Sequence, residues 1–261
     1  NKGFIFQGLY GYYWSSTAYS SSYAMYLYFG SSAVSPAGGG NEKDGGGAVR
    51  CVMGEDAVTT IQDFTIDECQ AKASDNDFTV VDTRDGNDYT VRYINGNCWM
   101  TQNLRLAGGT TLTSTYSNVS SSYTIPTTDL TSGNSYTDGR IHNSGNTTTG
   151  YWYNYCAASA GTVCSDTKKS TSYDICPKGW RLPTNGEISA ITGTSYIAAF
   201  SPVTGGYYNN GSLSSTSSGF WWSSIPQSGP WQFFLYYEDS SLKVNINARR
   251  LGFYMRCIRS S

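Results

Sequence analysis

The chain repeats itself once, at a distance that decides how it can be divided. Shifting the 261-residue sequence by 208 positions places Asn1 on Asn209, Gly3 on Gly211, Gly11 on Gly219 and Trp14-Ser15-Ser16 on Trp222-Ser223-Ser224. Met25-Tyr26-Leu27-Tyr28-Phe29 then falls on Phe233-Phe234-Leu235-Tyr236-Tyr237. After a two-residue length difference, Ala48-Val49-Arg50-Cys51-Val52 meets Tyr254-Met255-Arg256-Cys257-Ile258. A period this long is the length of a domain. Residues 1–53 therefore read as the closing quarter of a repeat whose complete copy occupies 54–261. A closing quarter made of strands cannot bury its apolar face alone. It needs a front part from upstream sequence, from a nicked fragment that stays bound, or from a neighbouring subunit by strand addition, unless it marks only an arbitrary chain boundary. Cys51 fits that incompleteness, since Cys257 has candidate partners within 54–261 and Cys51 has none upstream.

Composition narrows the class. A net charge of −2, with 14% charged residues, supplies no basic field for nucleic acid or an anionic membrane surface. No apolar run approaches the roughly 20 residues of a membrane helix, and Asn1 opens no signal peptide, so the chain reads as a mature or excised piece. Abundant Gly, Ser, Thr and Asn, with 22 Tyr and 7 Trp, combine turn and strand formers. They predict a β-rich, loop-rich fold. Seven cysteines with a single His142 and no CxxC pair suit disulfides better than zinc, which implies an oxidising compartment and leaves one sulfur over. Three glycosylation sequons, at Asn118, Asn146 and Asn210, are what chance gives in so Asn- and Ser-rich a chain.

Along the complete copy, Thr65 with Glu68 forms a capping-box pattern that predicts a helix near 66–73 carrying Cys69. Residues 78–103 alternate strand formers around two turn signals, Asp85-Gly86-Asn87 and Asn95-Gly96, and predict a three-stranded meander in which Cys98 can reach Cys69. Ala107 to Gly150 is too polar for a core of its own and reads as a long surface excursion. Cys156 and Cys164 are close enough for a local disulfide. Thr184 with Glu187 repeats the capping box and predicts a helix over 185–192. Gly205 to Gly211 reads as an exposed loop prone to nicking. Strands follow at 219–224, 231–238 and either 242–247 or 251–258.

The ordered set Asp82, Asp85-Gly86-Asn87, Tyr89, Val91, Cys98-Trp99-Met100, Asn103-Leu104, Cys176-Pro177, Gly179 to Thr184, Glu187, Trp222-Ser223-Ser224 and Arg256-Cys257 resembles the Fibrobacter succinogenes major paralogous domain. The resemblance spans nearly all of 78–258. It implies an α+β, β-rich, C-type-lectin-like fold, a disulfide between Cys176 and Cys257, and a bacterial extracellular or cell-surface module, often repeated, with no activity that the motif explains. Ile188 departs from the pattern, which usually has an aromatic soon after the helix-starting Glu. The N-terminal quarter is foreign to a single copy.

Catalysis finds little material. His142, the only imidazole, lies in the polar segment, and the 19 carboxylates are scattered, so no hydrolytic constellation stands out and the chain is expected not to be an enzyme. Asp82, Asp85, Asn87 and Asp88 are oxygen ligands of the kind Ca²⁺ accepts, but a tight hairpin turn uses the same residues for backbone reasons. The EPN and QPD tripeptides of Ca²⁺-dependent lectins are absent, and no cofactor is expected. Strand alternation puts Phe220 and Trp222 on a core face and leaves Trp221 on the other, so Trp221, with Tyr207 and Tyr208, is a candidate ligand contact. The function expected is a secreted, disulfide-stapled module for adhesion or scaffolding, perceived as a building block of a fibre or surface layer joined by strand complementation. Its partners would be a neighbouring repeat or subunit of the same protein. A glycan- or protein-binding module acting through 107–150 and 203–218 is the alternative, and a polysaccharide-acting enzyme a remote one.

Overall fold

The computed structural model describes residues 9–51, 59–143 and 149–260. Two compact units divide the chain, Asn1–Ala57 and Val58–Ser261. The expected 53/54 boundary, the repeat's first residues Asn1 and Gly3, its last, Val52, and the sequon at Asn146 lie outside the described residues.

Unit 1 is an antiparallel meander of β1 (Tyr10–Ala18), β2 (Tyr23–Gly30) and β3 (Val34–Glu42). Strand alternation gathers Tyr10, Tyr12, Tyr26 and Tyr28 on one face, with ring centroids 5.7–6.4 Å apart. The other face carries Tyr13 stacked on Phe29 at 5.5 Å. No described residue of this unit is buried.

Unit 2 is β-rich with short helices and three disulfides. Helix α1 (Ile66–Lys72) starts at a complete capping box, Thr65 with Glu68, and points buried Cys69 inward. The meander follows as β4 (Phe78–Val81), β5 (Asp88–Ile94) and β6 (Asn97–Met100), with Asn95 and Gly96 at φ 47° and 85° making the tight turn between β5 and β6. Segment 107–150 is not surface slack. It forms β7 (Thr111–Leu112), β8 (Tyr123–Thr124), a 3₁₀ turn (Leu130–Ser132) and β9 (Ile141–His142), and it buries Leu112, Val119, Ile125, Leu130 and Ile141. Its sparse aliphatics anchor its bends to the interior, Leu112, Val119, Ile125 and Ile141 in one buried cluster and Leu130 in a second.

β10 (Trp152–Tyr153) pairs with β9 and leads into α2 (Tyr155–Ala158). Helix α3 (Asn185–Ser189), capped by Thr184 and Glu187, stops short of the expected 192. The chain leaves it to exchange two backbone hydrogen bonds between Gly193, at φ 90°, and Leu242. After α4 (Ile197–Phe200), the expected loop at 205–211 is part of a hairpin, β11 (Tyr207–Asn209) and β12 (Ser212–Ser214). Asn210 and Gly211 turn it at φ 48° and 79°, the positive dihedrals that a two-residue hairpin turn requires.

β13 (Gly219–Ser228), β14 (Trp231–Glu238) and β15 (Ser241–Ala248) make a second meander, and β16 (Ile258–Arg259) joins the first as the outer neighbour of β6. Of the two alternatives for the last long strand, 242–247 is the one that forms. Residues 252–254 instead touch Tyr208, Tyr153 and Trp221 through single bridges.

The two meanders are the sequence repeat in three dimensions. Gly11, Tyr12, Tyr13 and Trp14 pair with Phe29, Tyr28, Leu27 and Tyr26, and Gly219, Phe220, Trp221 and Trp222 pair with Tyr237, Tyr236, Leu235 and Phe234. Every pair is displaced by the same 208 positions. The two-residue length difference is taken up in β3 as two register shifts, one between Ala24 and Tyr26 and one between Tyr26 and Tyr28. Beyond it the chain returns in parallel, bridging Tyr13 to Ala48 in unit 1 and Trp221 to Tyr254 in unit 2.

Candidate interaction surfaces

The segments 107–150 and 203–218 meet in unit 2. Asn134 donates its amide to the side-chain oxygens of Asn209 (2.9 Å) and Asn210 (3.1 Å) and accepts from the Asn210 N–H (2.9 Å). The His142 ring lies 4.4 Å from that of Tyr208, and its Nδ1 is 3.0 Å from the Asp129 carboxylate. Burial by itself would raise the Asp129 carboxyl, but hydrogen bonds from the Thr131 N–H and from His142 outweigh it and hold the group below its ordinary value. Tyr208 and Trp152 are buried beneath this seam, so it is a locked joint with Asp129 and Asn210 at its rim.

Trp221 is not on a free face. It is 2% exposed, it donates its indole N–H to Asn103 Oδ1 at 2.7 Å, and its ring meets Phe200 edge-on at 5.0 Å. The sheet is covered on both sides, so alternation separates two cores rather than core from solvent. Tyr207 also turns inward, edge-on to Phe220 and Phe253. The tryptophan that does reach the surface is Trp231, 42% exposed, with Ile225 and Ile246 exposed on the flanking strands.

Of the four candidate Ca²⁺ ligands, Asp82 is fully buried and its carboxylate is engaged by Arg84, with Nη2 at 2.6 Å and Nε at 2.9 and 3.0 Å, and by the Gln62 amide at 2.8 Å. Arg84 continues to the Ile175 carbonyl at 2.7 Å, tying the β4–β5 turn to the segment ahead of Cys176. Asp85 accepts from the backbone and side-chain N–H groups of Asn87, an Asx turn, and Asp88 begins β5. These bonds spend the cluster on the turn. Among the described residues no group of three or more His, Cys, Asp or Glu is placed to hold a metal.

The cysteines pair as Cys69–Cys98, which joins α1 to β6, Cys156–Cys164 and Cys176–Cys257. Beside the last, Asp174 is buried and accepts from the Cys176 N–H (3.0 Å) and the Leu182 N–H (2.8 Å). Desolvation dominates these bonds and pushes its carboxyl up to about 6. Arg256 is buried, and among the described residues no carboxylate pairs with it. It donates to Asn103 Oδ1 at 2.8 Å and to the Phe200 and Ser201 carbonyls, and it lies over the Phe200 and Trp221 rings at 4.3 and 5.1 Å. Burial lowers its affinity for the proton, and these oxygens and ring faces hold the charge in place.

Unit 1 repeats half of this arrangement. Arg50 lies over Tyr13 at 5.4 Å, as Arg256 lies over Trp221. Phe29 and Val49, 39% and 71% exposed, stand beside it, and Cys51 is an exposed free thiol. With Tyr13, Trp14 and Leu27 they line an open groove of ≈ 880 Å³. The sequence placed Cys51 without a partner but carried no sign of the groove, which exists because nothing in the described residues of unit 1 covers that face.

No match to the chain was found among curated proteins or among solved structures. A family model does match, and its span takes in the Cys98-Trp99-Met100 strand and the whole Cys176 to Glu187 segment while leaving out Trp222 and Cys257. Over residues 93–197 the chain matches the Fibrobacter succinogenes major domain, the family its motifs resemble.

Proposed function

We propose that the chain is a non-catalytic extracellular repeat module of a bacterial surface protein, serving adhesion or scaffolding, with unit 2 as a C-type-lectin-like domain. The observation that carries this reading is the set of three disulfides in a domain of short strands and long connections. Such crosslinks persist in oxidising compartments, and the family match suggests a surface or extracellular module. No helix of the described residues is long and apolar enough to cross a membrane. The module works without a cofactor, and its polar clusters serve its own backbone: Asp82 is held by Arg84, and Asp129 holds the 3₁₀ turn and His142. Labelling intact producing cells with a membrane-impermeant biotin reagent tests the reading. The protein should be labelled, and the six paired cysteines should resist alkylation until reduced. Unlabelled protein with seven reactive thiols overturns it.

A glycan- or protein-binding role is the second reading, favoured by exposed Trp231 between Ile225 and Ile246. Glycan-array or pull-down binding lost in Trp231→Ala would support it.

A further inference from the structure

In unit 2, the counterparts of the unit 1 groove are buried or half-buried, and by identifiable parts of the domain's front. Trp221 and Leu235, equivalent to Tyr13 and Leu27, lie in one buried cluster with Ile188, Ile191 and Phe200. The Met255 carbonyl accepts from the Leu104 N–H at 2.9 Å, and the Cys257 carbonyl from the Met100 N–H at 3.0 Å. Arg256 reaches Asn103, and Cys257 is bonded to Cys176. One face of β13–β15 and the returning strand are thus closed by β6 and the turn after it, by the segment from Cys176 to Pro183, and by α3 and α4. Unit 1 presents the same first two strands in the same register over four residue pairs, the same arginine over the equivalent ring and the same cysteine three residues beyond the parallel bridge. Among the described residues of unit 1, nothing covers that face.

We propose that the groove of unit 1 docks the front part of a domain of this same fold, a polypeptide equivalent to residues 58–208 that lacks its own closing strands, and that Cys51 forms a disulfide with that polypeptide's counterpart of Cys176. Phe29 and Leu27 meet the α3 and α4 side, and Arg50 reaches the counterpart of Asn103. A second copy of this chain does not fit as it stands, because β13–β15 already close its front. The crosslink needs an oxidant, and a small-molecule disulfide such as oxidised glutathione supplies it. The Cys51 thiolate attacks that disulfide and releases one thiolate. The partner's thiolate then displaces the second, so two thiols lose two protons and two electrons to the small disulfide. The crosslink rests on the extracellular reading above, whereas docking does not.

The test mixes the full chain with a polypeptide of residues 58–208, in reductant and in a glutathione redox buffer. A one-to-one complex should form in both, at least tenfold weaker for Leu27→Asp or Phe29→Asp and unchanged for Tyr19→Asp. In redox buffer, peptide mapping should find Cys51 joined to Cys176 of the added polypeptide. The groove's assignment is overturned if residues 209–261 capture the added polypeptide and the full chain does not, if the groove substitutions leave binding unchanged, or if the chain only dimerises through Cys51. Docking in reductant with Cys51 left free in redox buffer overturns the crosslink alone. A failure of the extracellular reading shows instead in the cell-labelling experiment and leaves docking in reductant intact. Should the 58–208 polypeptide aggregate alone, the chain 1–208 asks the same question, since its closing strands precede its front. It should fold with Cys51 bonded to Cys176; a protease-sensitive product overturns the docking, and a folded product with a free Cys51 overturns the crosslink alone.

Discussion

The meander β1–β3 and the meander β13–β15 share their pairing over four consecutive residue pairs, their parallel bridge to the returning chain and their arginine–ring contact, yet Trp222 is fully buried and nothing described in β1–β3 is. Register is therefore written into the strands and their turns, because a one-residue slip would exchange the two faces of each strand. Stability is not written there. An isolated three-stranded sheet is marginal in water, and what distinguishes β13–β15 is a layer on each side. The side chains follow the difference. Phe220 and Phe234 in the covered sheet correspond to Tyr12 and Tyr26 in the open one, where a hydroxyl can meet water.

The largest effect expected from that contrast lies at the equivalent cysteines. Replacing Cys176 and Cys257 together by Ala opens a crosslink across 81 residues of sequence, which the loop-entropy model values at about 4–5 kcal/mol. Cys51→Ser should leave the stability of unit 2 unchanged. Denaturant titration of the full chain, followed by the fluorescence of buried Trp99 and Trp180, checks both. An equal loss from Cys51→Ser would mean that its sulfur supports unit 2, and the contrast would fail.

The equivalent tryptophans come next. Trp222 stacks on Phe253 at 4.2 Å and donates its indole N–H to the Tyr153 carbonyl at 2.8 Å, so Trp222→Ala should cost about 3–5 kcal/mol. Trp14→Ala should cost less than about 1 kcal/mol, since Trp14 is only half-buried and no described residue of unit 1 is buried around it. Amide hydrogen exchange reads both units of one chain at once, and β13–β15 should lose protection in the first variant while β1–β3 change little in the second. Comparable losses in both would show that unit 1 has a core of its own.

Much of this architecture is readable in the sequence, and the parts that are not share a cause. Both capping boxes are legible because Thr65 with Glu68, and Thr184 with Glu187, satisfy donors within one turn and depend on nothing distant. The first meander is legible because Asn95-Gly96 and Asp85-Gly86 announce their turns. The covered second face of β13 is not, because alternation assumes water on one side, although the run Phe220-Trp221-Trp222 offers no polar residue to put there. Nor is the burial of 107–150. Its five aliphatics stand 5 to 11 residues apart, too sparse for a periodicity, and each finds a partner only once the rest has folded. The burial of Asp82 with Arg84 is hidden in the same way, since a turn motif accounts for Asp82 locally and the Ile175 carbonyl is 91 residues from Arg84.

The smallest effect is a response to pH that only unit 2 should show. The Asp174 carboxyl, at 3.8 before burial and about 6 within the fold, binds more protons folded than unfolded across that window. Stability from this group therefore falls as pH rises from about 4 to 6 and is level above it. The change between pH 5 and pH 7 is about 1 kcal/mol. Glu68 and Glu187, both held below their ordinary 4.5, work in the opposite direction, but their contribution is lost only as pH falls below that value. The protein should then unfold at a higher temperature at pH 5 than at pH 7. Asp174→Asn cannot accept from both the Cys176 and Leu182 N–H groups, so it should be less stable at either pH and lose most of the difference between them. Unit 1 has no counterpart, because its described carboxylates, Glu42 and Asp44, are exposed. Once intrinsic exchange rates are divided out, the amides of β1–β3 should give the same protection at both pH values while those of β13–β15 gain at pH 5. A parallel gain in β1–β3 would mean that the two sheets open together, and that the open one is held by the covered one rather than waiting for a layer of its own.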